Sequence, residues 1–342
     1  MPSRRSMLAF SLVCGVFLIA SPSAAPAQTV EVRTQLGWLR NGEFAPIMVA
    51  EAKGFFAEEG IKHRILDGGP GKNPVPIVGV GQAHFGITAG GNAVFQARLA
   101  PDPVDVIAVG TLLQRGPYSY ITLASPGDPA PKPKDLEGKV LGIQSDGDIF
   151  IKAFAQKHNL DLAKIKIETV QANAEPLLVG RVDFFSGWIT NQTFQIEQEA
   201  AKPDASPRLR GKTWKAISYF EYGVPSYSDV IFTTGKIVRE NPDLVRRYLR
   251  AVARGMQYIL DHPDETVQLV ANFPEQVEKA DKLAWRWKIQ NALFVSEDTR
   301  KNGLLWMNAR VWEEMMAFYK EYERIPRVIP TAEMMTNAFL PR

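Results

Sequence analysis

The sequence predicts an α/β protein of two lobes, and three observations carry the prediction. Strand-like and helix-like runs alternate from Val30 to Leu112. The alternation restarts after the proline-rich stretch PGDPAPKPKDLEGK. Beyond Asn241 nearly every segment reads as helix. Alternation of this kind builds βαβ units around a mostly parallel sheet, and a restart implies a second sheet.

Each element has its own signal. Val30 to Trp38 (VEVRTQLGW) alternates roughly as a strand does, and Pro46 to Phe56 carries apolar residues at helical spacing. Gly60 ends that helix, Ile61 to Leu66 reads as a second strand, and the loop DGGPGKNP follows. Pro76 to Val80 suits a short helix, Ala83 to Thr88 a strand, Asn92 to Ala100 a helix and Val104 to Leu112 a buried strand. In the second set, Ile121 to Ser125 is apolar and Val140 to Ile143 is a strand. A helix from Asp148 to His158, a strand at Ile165 to Val170, a short helix, a strand at Val182 to Phe185 and a further helix follow. The two sets join near Gln114–Thr122 and again near Tyr222–Ser228, so the chain leaves one sheet and later returns to it. The expected division is a leader at 1–27, lobe I at 28–115, lobe II at 116–225, and the rest of lobe I with the C-terminal helices at 226–342. A parallel sheet binds ligands at the carboxyl ends of its strands, so the cleft between the lobes is the expected pocket.

The 342 residues are 45% apolar and 23% charged, with a formal net charge of +3, which gives no reason to propose nucleic acid. Arg4 and Arg5, the apolar run Met7 to Ala20 and the ending Ala25-Pro26-Ala27 read as a cleavable export signal. Cys14, the one cysteine, lies inside that leader. The expected mature chain therefore has no disulfide, thiolate metal site or thiol nucleophile. His63, His84, His158 and His262 are scattered without metal-ligand spacing, so no metal site and no cofactor are expected.

The stretch GWLRNGEFAPIMVAEAKGFFAEEGI, with GQAHFGIT, KDLEGKVLGI and YGVPSYSDVIFTTGKIVRENPDLVRRYLRAVARGMQYIL, resembles the periplasmic substrate-binding proteins of ABC importers. More narrowly it is similar to the branch that carries thiamine pyrimidine precursors, and the tail beginning WMNARVWEEMMAFYKEYERIP matches as well. The KGFF and KDLEGK pieces are shared with sulfonate, taurine and nitrate binders. The resemblance covers essentially the whole mature chain. It implies a type II periplasmic-binding fold, with two α/β lobes joined by a two-strand hinge and a ligand trapped by closure. It also implies a monomer in the periplasm that delivers a small molecule to an ABC permease with its cytoplasmic ATPase.

Trp38 ends the first strand and Asn41 follows in the loop, where the resemblance places cleft residues; core packing and turn formation are the alternatives. Thr88-Ala89-Gly90-Gly91-Asn92 raises a sharper question. Its glycines can serve backbone angles closed to other residues, allow close helix–sheet packing, or bare a helix N-terminus for a ligand. The resemblance favours ligand contact. Gln144-Ser145-Asp146-Gly147-Asp148 is the equivalent turn of the second lobe, where Ser145 and Asp148 can equally be helix caps. Trp188 follows the strand VDFF, and Tyr222 and Tyr227 flank the second crossing, where they can close over a ring or pack the hinge. Glu43 and Asp146 can accept from an amino group on such a ring, though both are expected to be solvated. Several aromatics facing one cleft suit a flat heteroaromatic ligand, since stacking adds about 0.5–1.5 kcal/mol beyond burial.

Two alternatives stand. A fungal branch of this fold makes the thiamine pyrimidine from pyridoxal phosphate with a lysine, a consumed histidine and a cysteine-rich run. Alignment on GITAGGNAV puts Thr88 at the lysine and Asn92 at the histidine, so neither a Schiff base nor that nitrogen donor is available there. The other alternative is a small organic anion such as a sulfonate, against which Asp146 and Asp148 would act by repulsion.

Overall fold

The computed structural model describes residues 29–144, 147–322 and 324–341. The expected leader, Cys14, Ser145 and Asp146 lie outside the described residues.

Among the described residues, ten strands form two five-stranded sheets. The first holds β1 (Val30–Gln35), β2 (Ile61–Leu66), β3 (Phe85–Thr88) and β4 (Val106–Leu113), and the last strand, β10 (Ser228–Thr234), returns to it. The second holds β5 (Tyr118–Ala124), β6 (Val140–Ile143), β7 (Lys166–Thr169), β8 (Phe184–Trp188) and β9 (Thr213–Ser218). Their orders are β2-β1-β3-β10-β4 and β7-β6-β8-β5-β9. In each sheet one strand is antiparallel to its neighbours, β10 against β3 and β4, and β5 against β8 and β9. These are the strands that receive the chain as it crosses between sheets.

Period-two burial decides which helices each strand faces. On β10, Ile231 joins a core with Val49, Val252 and Leu249, while Val230 and Phe232 point the other way into a core with Phe95, Trp312 and Met315. On β5, Tyr120 and Ile121 enter opposite cores, as do Phe184 and Phe185 on β8. Helices thus cover both faces of each sheet, and each lobe has its own interior. The Pro242–Asp261 helix shows why its segment is helical. Proline occupies its first turn, and Leu244, Val245, Tyr248, Leu249, Val252, Met256 and Ile259 bury one stripe at spacings of three and four. Gly255 lets this helix cross the Ala45–Ala52 helix closely, since a β-carbon there would collide with the Pro46 carbonyl.

Several element boundaries differ from expectation by one to three residues: β1 ends at Gln35, so Trp38 lies in the loop beyond the strand and does not end it, and β8 runs on to Trp188. The helix expected over Pro46 to Phe56 is two, Ala45–Ala52 and Phe55–Glu58, because Gly54 between them adopts φ 75°. Strand β9 (TWKAIS) was not anticipated: four of its six residues in a row are half-buried, so the alternation that marks a strand is faint.

The two crossings, 114–117 and 219–227, run side by side. Ser228 pairs with Leu113, and the Gly116 N–H donates to the Ser226 carbonyl at 3.1 Å. A side chain at Gly116 would meet the Ser226 hydroxyl. This is a two-strand hinge, and the cleft opens beside it. No helix of the described residues is long and apolar enough to cross a membrane.

Candidate functional site

A cleft of about 710 Å³ lies between the lobes. From the first lobe it is lined by Thr88, Ala89, Gly90 and Asn92 of the turn, by Gln96 and by Lys72, Asn73 and Pro74; Gly91, expected on the cleft, is buried behind the turn and is not among the lining residues. Tyr118, Phe150, Trp188 and Tyr219 line it from the second, and the hinge adds Gly116, Pro117 and Val224 to Ser228. Met315, Tyr319 and Arg324 of the C-terminal region close the remaining side.

The Thr88–Asn92 turn is held from both ends. The Thr88 hydroxyl donates to the Gly90 carbonyl at 3.0 Å, and the Ser228 hydroxyl donates to the Ala89 carbonyl at 2.7 Å. The glycines are not there for unusual backbone angles: Gly91 has φ −63° and ψ −22°, and neither it nor Gly90 has positive φ. Close approach is the reason. A β-carbon on Gly91 would stand 2.8 Å from Met315 Cε and 3.0 Å from a Trp312 ring carbon. Gly91 therefore seats the Asn92–Leu99 helix against the C-terminal helix Ala309–Glu321. The Asn92 amide nitrogen donates to Gln96 Oε1 at 3.0 Å, along the helix.

In the second lobe, Tyr118 and Trp188 are cross-strand partners in the β5–β8 register, and both line the cleft. Tyr118 packs edge-on against Tyr219, with centroids 4.9 Å apart, and Phe150 lies 5.4 Å from Tyr219. The Trp188 N–H donates to Gln192 Oε1 at 2.8 Å, which anchors the strand end. Gln144 is half-buried and bound to Ser186, its N–H donating to the Ser186 hydroxyl at 3.2 Å and its side-chain nitrogen to the carbonyl at 3.3 Å. It is not among the residues that line the cleft.

Tyr227 is nearly buried, lines the cleft and receives the Asn308 N–H on its hydroxyl at 2.7 Å. Burial pushes its phenol up to about 12, so it stays neutral. Tyr222 lies away from the cleft, edge-on to Phe154 and His158, and its carbonyl accepts from His158 Nε2 at 2.8 Å. Trp38 and Asn41 line a second depression of about 420 Å³ together with Asn191, Phe194 and Lys282. Trp38 is 40% exposed. Asn41 caps the short helix Gly42–Phe44, its Oδ1 accepting from the Glu43 N–H at 2.8 Å.

Glu43, expected to be solvated, is buried. It faces Asp229, also buried, whose carboxyl oxygens have no hydrogen-bond donor among the described residues. Burial raises both carboxyls; Glu43 raises Asp229 further, by more than the Arg286 guanidinium relieves it, whereas the contacts with Asp229 and Arg286 pull Glu43 part of the way back down. A proton held between the two would give both a partner.

Sequence reasoning passed over Tyr118, Phe150, Tyr219, Tyr319, Lys72 and Arg324. The signal for Tyr118 was available, since it sits within the first crossing. Tyr319 and Arg324 carry no local signal, because the C-terminal helices reach the cleft only through the tertiary fold. Among the described residues that line the cleft there is no histidine or cysteine, and no group of His, Cys, Asp or Glu that could hold a metal occurs among the described residues.

Two lobes, one antiparallel crossing strand in each sheet and a cleft beside a paired hinge define the periplasmic-binding-protein fold. The chain belongs to the NMT1/THI5 like family, whose model matches residues 41–266. It is 26% identical to the riboflavin-binding protein RibY of Chloroflexus aurantiacus, over 94% of this chain and 91% of that one. It is 27% identical to the 4-amino-5-hydroxymethyl-2-methylpyrimidine phosphate synthase of Legionella pneumophila, over 90% and 91%. The formylaminopyrimidine-binding protein of Halalkalibacterium halodurans is 23% identical over 91% and 96%. In architecture the chain is similar to the periplasmic aliphatic sulphonate binding protein SsuA from Escherichia coli, with a TM-score of 0.64, 12% identity and 90% and 92% coverage.

Proposed function

We propose that this protein is an exported solute-binding protein that captures a flat heteroaromatic molecule, pyrimidine-like or larger, between its lobes and hands it to an ABC permease. The observation that carries this reading is the aromatic lining contributed by both lobes and the hinge: Tyr118, Phe150, Trp188, Tyr219, Tyr227 and Tyr319. Rings lining a cleft hold a planar ligand by stacking and burial. Relatives named for binding riboflavin and formylaminopyrimidine support a heterocycle as cargo. The functional lobes are taken as 28–115 with 226–342, and 116–225, with 1–27 removed on export. Thr88, Gly90, Asn92, Trp188 and Tyr227 would contact the ligand from the cleft wall, with Gly91 behind it seating the helix. Gln144, Ser145 and Asp146 would bound its second-lobe turn.

A synthase role, which the Legionella relative's name raises, has less support here. Asn92 stands where the resemblance asks for a histidine, and Lys72, the one lysine lining the cleft among the described residues, donates to the Asp67 carbonyl at 3.3 Å. A small organic anion is the second reading, favoured by Lys72 and Arg324, the charged side chains among the described lining residues. Mass spectrometry of molecules released by denaturing freshly purified protein tests these readings. A heteroaromatic compound is expected, and an aliphatic sulfonate would overturn the proposal. Intact mass of periplasmic protein is expected to lack residues 1–27; full-length protein or an acylated Cys14 would refute export by that leader.

A further inference from the structure

Asn92 and Gln96 stand one turn apart on the Asn92–Leu99 helix, so their side chains share a face, and both line the cleft half-buried. Among the described residues, the side-chain hydrogen bond that each makes is to the other, the Asn92 amide nitrogen donating to Gln96 Oε1 at 3.0 Å. The Asn92 oxygen lies against Gly90, where a β-carbon would stand 2.5 Å from it. Gly90 thus has a reason of its own. Gly91 seats the helix, and Gly90, on the cleft wall, leaves room for the Asn92 amide to lie along that wall.

A primary amide carries two N–H protons and an oxygen with two lone pairs. One bond between two amides uses one proton and one lone pair. Asn92 Oδ1 keeps its acceptor capacity and the Gln96 NH2 group keeps both protons, so the wall presents an uncharged acceptor and an uncharged donor one turn apart. The neighbouring hydroxyls offer less. Thr88 and Ser228 each give their one hydroxyl proton to a main-chain carbonyl, and Tyr227 receives the Asn308 N–H. The amide pair ties down no main-chain group, so a ligand can engage it without loosening the turn.

We propose that Asn92 and Gln96 read the hydrogen-bonding edge of the ring, Asn92 Oδ1 accepting from a ring or exocyclic N–H and Gln96 Nε2 donating to the adjacent carbonyl oxygen or ring nitrogen. The ligand is then a neutral heterocycle with a lactam edge (N–H beside C=O) or an aminoazine edge (NH2 beside a ring nitrogen). The inference rests on the heteroaromatic reading of the cleft and narrows it. A ring whose N–H is alkylated fills the same space but leaves the Asn92 oxygen facing a methyl group, which forfeits the bond and strands the acceptor.

The test compares rings with the N–H present and capped by calorimetric titration of the mature protein. The probes are riboflavin against 3-methylriboflavin, and 4-amino-2-methylpyrimidine against its 4-dimethylamino analogue. The uncapped member of at least one pair is expected to bind about ten-fold or more tightly than its capped partner, the scale of one or two well-made hydrogen bonds. Asn92→Ala is then expected to weaken the uncapped ring and leave the capped one within about two-fold, closing the gap. A methyl group that merely collided with Asn92 would show the reverse, the capped ring tightening and the uncapped one unchanged, and that result would overturn the proposal. Gln96→Leu is expected to weaken the uncapped ring about five-fold or more. Ligand-free melting temperatures close to the parent's separate lost contact from lost fold, and Asn92→Ser is read in the same way should the alanine variant fold poorly. Equal affinity within each pair, a gap that survives Asn92→Ala, or unchanged affinity in Gln96→Leu would overturn the edge reading and leave the ring site standing. Failure of every probe to bind would instead overturn the heteroaromatic reading, and the edge reading with it.

Discussion

At the scale of single residues, the cleft separates side chains that pack from side chains that wait. Trp188 is half-buried at the end of β8, tied by its backbone and not by its ring. Trp188→Ala is expected to weaken the true ligand by up to a few kcal/mol while moving the ligand-free melting temperature little. An unfolded variant with normal affinity whenever folded would make Trp188 a core residue. Gly91 is the opposite case. Gly91→Ala pushes a methyl group against Met315 and Trp312, an overpacking that costs about 1–3 kcal/mol. Denaturant unfolding should register that loss. A neutral result would mean that Met315 swings away freely and that this glycine does not set the helix position.

At the scale of elements, the start of β10 carries the most loaded arrangement. Asp229 adopts φ 54°, a left-handed conformation that costs a non-glycine residue, and buries a carboxyl against Glu43. Arg286 faces both and is itself held by Glu278, which also binds Lys282. The folded values of Glu43 and Asp229 are raised, chiefly by burial, so the folded chain keeps protons that the unfolded chain releases above the usual carboxylate range. The stability this pair contributes is thus fully present at low pH and is lost as pH rises through the folded values, by about 1.4 kcal/mol per pH unit for each proton. Asp229→Asn keeps a side chain tolerant of positive φ and removes one titration. Its unfolding free energy should fall less steeply with pH than that of the parent between mildly acidic and neutral pH. Parallel slopes would show that the pair does not share a proton. The Pro242–Asp261 helix gives a second prediction at this scale. Gly255→Val must separate two helices whose backbones touch at Pro46 and Ala50. A loss of at least about 3 kcal/mol is expected from overpacking joined to backbone displacement, and retention of the parental melting temperature would refute the close crossing.

At the scale of the whole molecule, the lobes meet at two places besides the hinge. Lys282 and Asn191 join at one, and at the other Gln156 meets Glu321 at 3.3 Å while Phe150 stacks near Phe318 at 6.2 Å. A ligand in the cleft adds contacts to both lobes at once, so it binds the closed folded form and not the unfolded chain. At a free concentration 100-fold above Kd it should stabilise the protein by about 2.7 kcal/mol, read as a concentration-dependent rise in melting temperature. A ligand that binds without raising the melting temperature would require a site the unfolded chain retains.

The sequence by itself determined the fold class, because strand and helix periods are local and the restart after the proline-rich turn is visible in one pass. It also offered candidate crossings near Gln114–Thr122 and Tyr222–Ser228, since each interrupts an apolar run with turn-forming residues. The faint alternation of TWKAIS hid β9, and only pairing with β5 makes that segment a strand. Tertiary structure alone decided who lines the cleft. Thr88, Trp188 and Tyr227 come together with Tyr319 and Arg324 from a distant helical region, and no spacing rule links such separations. It also decided that Glu43 is buried, because the residue facing it, Asp229, lies far along the chain on the strand that returns from the second lobe. Periodicity reports which face of an element is dry; which partner covers that face depends on where the chain comes back.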